Sequence, residues 1–288
     1  MVEGKGGIKV QVIADSISPE DIRITTLHCT YPRFIHSQVM THRMFSRNAR
    51  SSRAVPVTRL IEEVKEHPAT PIYMGENKRG MQSGKELDER EIVFCYEEWY
   101  EASKDACFHA DYFDEVGLHK QIANRVLEPF LFIDTLITST EWDNFFNLRL
   151  HEDAQPEIQE LARCMKKAMD FNCPTQLDYE DWHLPYITET ETGVSFNDLL
   201  LISAARCARI SYKPFDGSSD PYKDLELARR LVASRHMSPF EHQARAIAPL
   251  HRKYIQGMTH IDRNNNAWSN NFRGWVQYRA ILENENET

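Results

Sequence analysis

The chain opens with two stretches of strand character. Residues 8–16 (IKVQVIADS) alternate apolar and polar positions, as a half-buried strand requires. Residues 22–30 (IRITTLHCT) are dense in β-branched side chains and predict a second strand. After Pro32 the period changes: FIHSQVMTHRMFSRNARS reads as helical before it turns wholly polar. Residues 71–88, with Gly75, Gly80 and Gly84 among mixed charges, read as a mobile loop or lid. Residues 89–128 are helical in character. Residues 130–142 (FLFIDTLITSTEW) suit a buried strand or an apolar helix, because period alone does not separate the two. Residues 154–171 predict an amphipathic helix with Ile158, Leu161, Met165 and Met169 on one face. Residues 172–196, rich in Pro, Thr and acidic side chains, read as a connector, followed by helical blocks at 197–209 and 222–235. The mixture predicts an α/β (α+β) fold, a central mixed sheet with flanking helices.

Composition narrows the class. The chain has 288 residues, 41% hydrophobic and 27% charged, enough for one large core or two closely joined lobes. A net charge of −9 argues against polymeric nucleic acid as a partner, since such binders usually carry a basic footprint. A local basic pocket for a small anion remains compatible with it. The six cysteines include no CxxC pair, and no histidine pair has a ligand spacing such as HExxH, so no metal is expected. The N-terminus lacks an apolar signal core, and no apolar run approaches the roughly 18 residues that span a bilayer. Reduced thiols in a cytoplasmic protein, without a membrane, are the expectation. Neither GxGxxG nor GxxxxGK[ST] occurs, which removes Rossmann and P-loop chemistry.

The chemistry concentrates in SQVMTHRMFSRNARSSRA, residues 37–54. Arg43, Arg47, Arg50 and Arg53 lie there with His42, Ser46, Asn48, Ser51 and Ser52. Guanidinium forks bind phosphate oxygens bidentately, and hydroxyls and amides add neutral donors. By itself the segment is also readable, as the lesser alternative, as a solvated basic helix face.

The spacing resembles a signature of the flavin-dependent thymidylate synthases, RHRxxSxNxxSxR preceded by a glutamine. The matching residues are Gln38, His42, Arg43, Ser46, Asn48, Ser51 and Arg53. Thr41 stands where the motif has its first arginine, and Ala49 where it has a glutamate. GLHKQIANRVLEPF (117–130) resembles the family's AR-x-x-LP segment, and TEWDNFFNLRLHEDAQPEIQELA (140–162) resembles its N-x-x-x-FLxLR followed by AQxEI. Two further elements, CARISY (207–212) and RHMSPFEH (235–242), resemble AARxSY and HxSPFEH, which open the chain in the family and close it here. The simplest account is one permuted catalytic domain over 1–288. Segment 1–171 then carries the arginine motif and catalytic arginine, 172–196 the connector, and 197–288 the SPFEH motif. A partial duplication would explain the additional segment NNFRGWVQYRAIL near the C-terminus, with Gln277 and Arg279.

The resemblance implies methylation of dUMP to dTMP with methylenetetrahydrofolate and NADPH by way of FAD, in a homotetramer with active sites built across subunits. It places Arg149 as the catalytic arginine, beside the pyrimidine edge where charge develops. An arginine keeps its charge and offers a planar fork to a planar ring. Ser51 falls on the family's activating serine, but no His–Asp arrangement accompanies it, so it is read as binding and positioning. Gln38, Ser51, Ser52, Arg53, Arg125 and Arg149 are the substrate-binding candidates. His42, Arg43, Asn144, His236 and Ser238 are the flavin candidates. Arg47, Arg50 and Arg279 are candidates to replace the phosphate contacts that the two departures remove. Two other functions remain open: transfer of another one-carbon group, such as hydroxymethyl, to a pyrimidine nucleotide, or nucleotide binding without catalysis on the same fold.

Overall fold

The computed structural model describes residues 1–188, 191, 193–211, 220–248 and 255–285. In chain order it contains β1 (Val2–Glu3), β2 (Lys9–Ile17), β3 (Arg23–Pro32), α1 (His36–Met40), β4 (Ser46–Ala49), α2 (Val57–Glu66), α3 (Glu89–Glu115), α4 (Lys120–Ala123), β5 (Phe132–Ser139), α5 (Asp143–Arg149), α6 (Pro156–Asp170), β6 (Thr175–Gln176), β7 (Trp182–His183), α7 (Phe196–Ala208), α8 (Pro221–Ala233), β8 (Ala244–Ala246), β9 (His260–Ile261), β10 (Ala267–Ser269), β11 (Phe272–Arg273), β12 (Trp275–Gln277) and α9 (Tyr278–Glu285). Both opening strands form where the alternation and β-branching place them. The longest helix, α3, starts at a capping box in which Asp88 accepts from the Glu91 amide and Glu91 accepts from the Asp88 amide.

The main sheet runs β1-β2-β3-β5-β4 with antiparallel neighbours, and β6 joins β2 in parallel, so the sheet is mixed. Residues 130–142 resolve as a strand followed by a turn. β5 pairs with β3 on one side and β4 on the other, with Thr26 opposite Thr138 and Leu27 opposite Ile137. One face of these strands presents Leu27, Cys29, Tyr31, Ile133 and Ile137 to α6, which contributes Ile158, Leu161, Met165 and Met169. That is the apolar stripe the period anticipates, and its burial is the main stabilisation of this layer. A second core joins α2 and α3 to residues 123–131 through Leu60, Ile61, Val64, Cys107, Ala110 and Leu127.

The opposite face of β3 and β5 carries a buried polar row. Thr26 Oγ1 and Thr138 Oγ1 lie 2.7 Å apart. Thr26 bonds His183 Nε2 at 2.8 Å, and Thr138 bonds His242 Nδ1 at 2.8 Å. His183 Nδ1 continues the row to Ser16 Oγ at 2.9 Å. Burial pushes both histidines down to about 3, so both are neutral. Residues 172–196 thus do more than connect, because β7 supplies one of these histidines and pairs with β8. The C-terminal strands dock on the start of β3, where Trp275 Nε1 donates to the Ile22 carbonyl at 3.0 Å. Among the described residues no helix is long and apolar enough to cross a membrane. Tyr212, residues 189, 190 and 192 of the connector, and residues 249–250 lie outside the described residues.

Candidate functional site

The arginine motif is only briefly helical. α1 ends at Met40, Thr41–Phe45 turn back on it through His42 N to Val39 O and Phe45 N to His42 O, each at 3.2 Å, and β4 then pairs with β5. Pairing with a buried strand overrides the local helical preference. As a result Ser46 and Asn48 point to one face and Arg47 to the other. Asn48 Nδ2 donates to Cys207 O at 3.4 Å, and Gln277 Nε2 donates to Ser46 Oγ at 3.0 Å.

The turn meets α5 across a pocket of about 310 Å3 that Thr41, His42, Arg43, Glu141, Asn144, Phe145 and Arg149 help to line. Ser139 Oγ holds the two walls together, donating to Met44 O at 3.0 Å and accepting from Glu141 N at 3.0 Å. His42 is buried edge-on against Phe145, with ring centroids 4.9 Å apart. Arg149, in the last turn of α5, donates from Nε to His42 Nε2 at 2.9 Å and from Nη2 to Thr41 Oγ1 at 3.4 Å. Burial first, then the Arg149 and Arg47 charges, push His42 down to about 4. It is therefore neutral, and its Nε2 accepts the hydrogen bond from Arg149. Thr41 also becomes intelligible here: its hydroxyl accepts from Arg149, where an arginine would set a like charge against it. Arg43 is exposed and forms no ion pair among the described residues, whereas Glu141 is engaged by Arg273 Nε at 2.5 Å. The pocket thus offers one uncommitted guanidinium, one held by neutral acceptors, an amide and an apolar wall.

A second cluster gathers other candidates. Asn124 Nδ2 donates to the carbonyls of Ser52 and Val55 at 2.7 and 3.0 Å, pinning the serine turn to residues 120–130. That turn places Ser51, Ser52 and Arg53 near Arg125. Glu128 Oε1 accepts from Ser52 Oγ at 2.8 Å and Arg125 Nη1 at 2.9 Å, and Arg33 Nη2 reaches it at 2.9 Å. Arg33, Asn124 and Glu128 went unnoticed in the sequence, although Glu128 stands at the leucine position of AR-x-x-LP. Gln38 lines neither group with its side chain, which donates to Gln155 Oε1 at 2.5 Å, but its carbonyl accepts from Thr41 Oγ1 at 2.7 Å beside the pocket.

His236 and Ser238 do not line the pocket. His236 is exposed after Arg235, which adopts φ 55, and Ser238 opens a 3₁₀ turn that packs on β4. The replacement arginines are also committed elsewhere. Arg50 forks onto Glu63 with two bonds of 2.8 Å, Arg47 donates to Met40 O at 2.8 Å, and Arg279 binds Glu241 and, at 2.8 Å, Glu283. Carboxylates outside the motif, Glu63 for Arg50 and Glu241 and Glu283 for Arg279, answer these charges, which the motif alone did not disclose.

The pocket joins two motif halves 107 residues apart, and sequence comparison bears on the same segment. The family model of the thymidylate synthase complementing protein matches residues 17–175. The chain belongs to that family. Within the thymidylate synthase complementing proteins its matched region holds every pocket and cluster residue named above except Arg273. Solved structures that resemble it include a UMP/dUMP methylase PolB from Streptomyces cacaoi bound with 5-Br UMP, and the same protein bound with 5-Br dUMP. The first is 18% identical with a TM-score of 0.47, covering 58% of this chain and 90% of that one. The second is 18% identical with a TM-score of 0.44, covering 58% and 91%. No curated protein sequence matches the chain.

Proposed function

We propose that this protein is a flavin-dependent methyltransferase that converts dUMP to dTMP, with methylenetetrahydrofolate as one-carbon donor and NADPH as reductant. The observation that carries the reading is the contact of Arg149 with neutral His42 inside the pocket. The overall change balances: dUMP, methylenetetrahydrofolate, NADPH and a proton give dTMP, tetrahydrofolate and NADP+.

The residues fit a planar, electron-accepting ring. Phe145 and Leu148 offer an apolar wall, Asn144 an amide and Arg43 an uncommitted cation, while the volume suits the reacting rings rather than a whole dinucleotide. Flavin, when bound, supplies the two electrons that reduce a methylene-level carbon to methyl. Arg149 keeps its charge throughout and is aimed by His42 and Thr41, so it stabilises negative charge developing on the pyrimidine edge without reorganising. Arg43 and Asn144 hold the flavin ring. Ser51, Ser52, Arg53 and Arg125 bind the nucleotide's sugar and phosphate, with Gln38 at the edge of the site.

His236 and Ser238 complete the flavin site from a neighbouring copy in a homotetramer. The reversed order of the motifs reflects a permuted single domain, a reading supported by the packing of the SPFEH turn on β4 and by the bond between Thr138 and His242. Permutation is tolerated where termini lie close together at a surface.

The test is direct. Protein purified without added cofactor, then heat-denatured and centrifuged, releases flavin into the supernatant. Incubation with dUMP, methylenetetrahydrofolate and NADPH yields a product heavier by one CH2. A hydroxymethyl product would select the other one-carbon transfer, and a colourless protein that also fails to bind added FAD contradicts the proposal.

A further inference from the structure

We propose that Glu128 is a carboxylate latch occupying the seat of a phosphate group, and that it sets the affinity of this site for phosphorylated ligands. The inference rests on the nucleotide reading above and deepens it.

Three donors converge on a single oxygen. Ser52 Oγ, Arg125 Nη1 and Arg33 Nη2 reach Glu128 Oε1 at 2.8, 2.9 and 2.9 Å. They arrive from three separate stretches of chain: the serine turn after β4, the 3₁₀ segment that carries Glu128, and the end of β3. Two guanidinium groups and a hydroxyl meeting at one point match the demands of a phosphate monoester, which presents three oxygens and up to two charges. Glu128 supplies one charge and fills one acceptor position, so the cluster retains a positive surplus. Arg53 adds to it, exposed beside Ser52 and without an ion pair among the described residues.

The surroundings show that this surplus is felt. His36 bonds Tyr31 Oη at 2.9 Å and is pushed down to about 4, by burial first and then by the Arg33 and Arg47 charges, with Glu128 acting in the opposite direction. The latch is also partly open to solvent. The Glu128 side chain keeps 22% of its exposure, and Arg125 keeps 51%, so the carboxylate can swing to solvent without uncovering the core. Where AR-x-x-LP carries a leucine, the seat would stand open. Here an arriving phosphate must displace a bound carboxylate, whereas an unphosphorylated ligand need not.

The experiment compares wild type with Glu128→Gln and Glu128→Leu by calorimetric titration of dUMP, deoxyuridine and inorganic phosphate. Glu128→Gln keeps shape and neutralises the latch, and it stands in should the leucine variant fail to fold. Both variants are expected to bind dUMP and inorganic phosphate about tenfold more tightly, ~1.4 kcal/mol, with deoxyuridine unchanged. Unchanged or weaker phosphate affinity in Glu128→Gln overturns the latch and makes Glu128 a brace for Arg125. Equal tightening of dUMP and deoxyuridine overturns it too, because the effect would then not lie at the phosphate. If no form binds dUMP or deoxyuridine, the nucleotide reading fails, and the inorganic phosphate arm still decides the latch.

Discussion

The two places where arginines gather differ in what neutralises them. At the pocket, Arg149 rests on a neutral histidine and a threonine, and Arg43 has no carboxylate among the described residues. Around Ser52, Arg33 and Arg125 share Glu128, and Arg50 is forked by Glu63. In the first place positive charge is left for a ligand; in the second about half of it is answered within the chain. A cation held by neutral partners keeps its field for charge that appears during reaction, whereas one already paired contributes chiefly by exchange.

If that distinction holds, Arg149→Ala has the largest consequence. Loss of one preorganised donor to developing negative charge costs about 2.7–4 kcal/mol, on the order of a hundred- to a thousand-fold in turnover. Flavin should remain bound, because Arg43 and Asn144 are untouched. Steady-state methylation assays beside a flavin stoichiometry check this, and near-normal turnover would make Arg149 structural. Arg125→Ala should cost less, about tenfold in dUMP affinity, since its charge is partly spent on Glu128. A dUMP titration measures it, and a loss as large as that of Arg149→Ala in turnover would erase the contrast between the clusters.

Acid sharpens the comparison from another side. His42 and His36 sit near 4, and His183 and His242 near 3, against an ordinary value of 6.5. Their depressed values mean that the unfolded chain takes up protons first as pH falls. Their contribution to stability is whole above 6.5 and declines from there to about 4 for His42 and His36 and to about 3 for His183 and His242. Below about 4, His42 itself protonates and can no longer accept from Arg149. Thermal midpoints should therefore drop steadily from pH 6.5 to 4, with Arg149-dependent activity lost at the lower end. A flat profile over that range would contradict the neutral-histidine account. The smallest effect is expected of Arg279→Ala. Its partners are Glu241 and Glu283, outside the pocket, so dUMP affinity should stay within about twofold while stability falls slightly. A large loss of affinity would return Arg279 to the site.

Much of this was legible in the chain. The alternation at 8–16 became β2, and the stripe Ile158, Leu161, Met165 and Met169 became the packed face of α6. The motif residues His42, Arg43, Asn144 and Arg149 meet in one pocket. What failed was whatever depends on partners distant in sequence. The arginine segment looked helical because its strand partner, β5, lies 90 residues on. Glu63 and Glu128 gave no sign of which arginines they would claim. His183 looked like part of a connector because its bonds to Ser16 and Thr26 form only when the sheet is assembled.

The central claim is that the His42–Arg149 pocket joins flavin to a uracil nucleotide. Its most direct test is the visible absorbance spectrum of the purified, flavin-reconstituted protein during titration with dUMP, for wild type and Arg149→Ala. The account predicts a saturable shift of the flavin band in wild type and a markedly weakened one in the variant, which still carries flavin. A wild-type spectrum indifferent to dUMP, or the same saturable shift in Arg149→Ala, would contradict it.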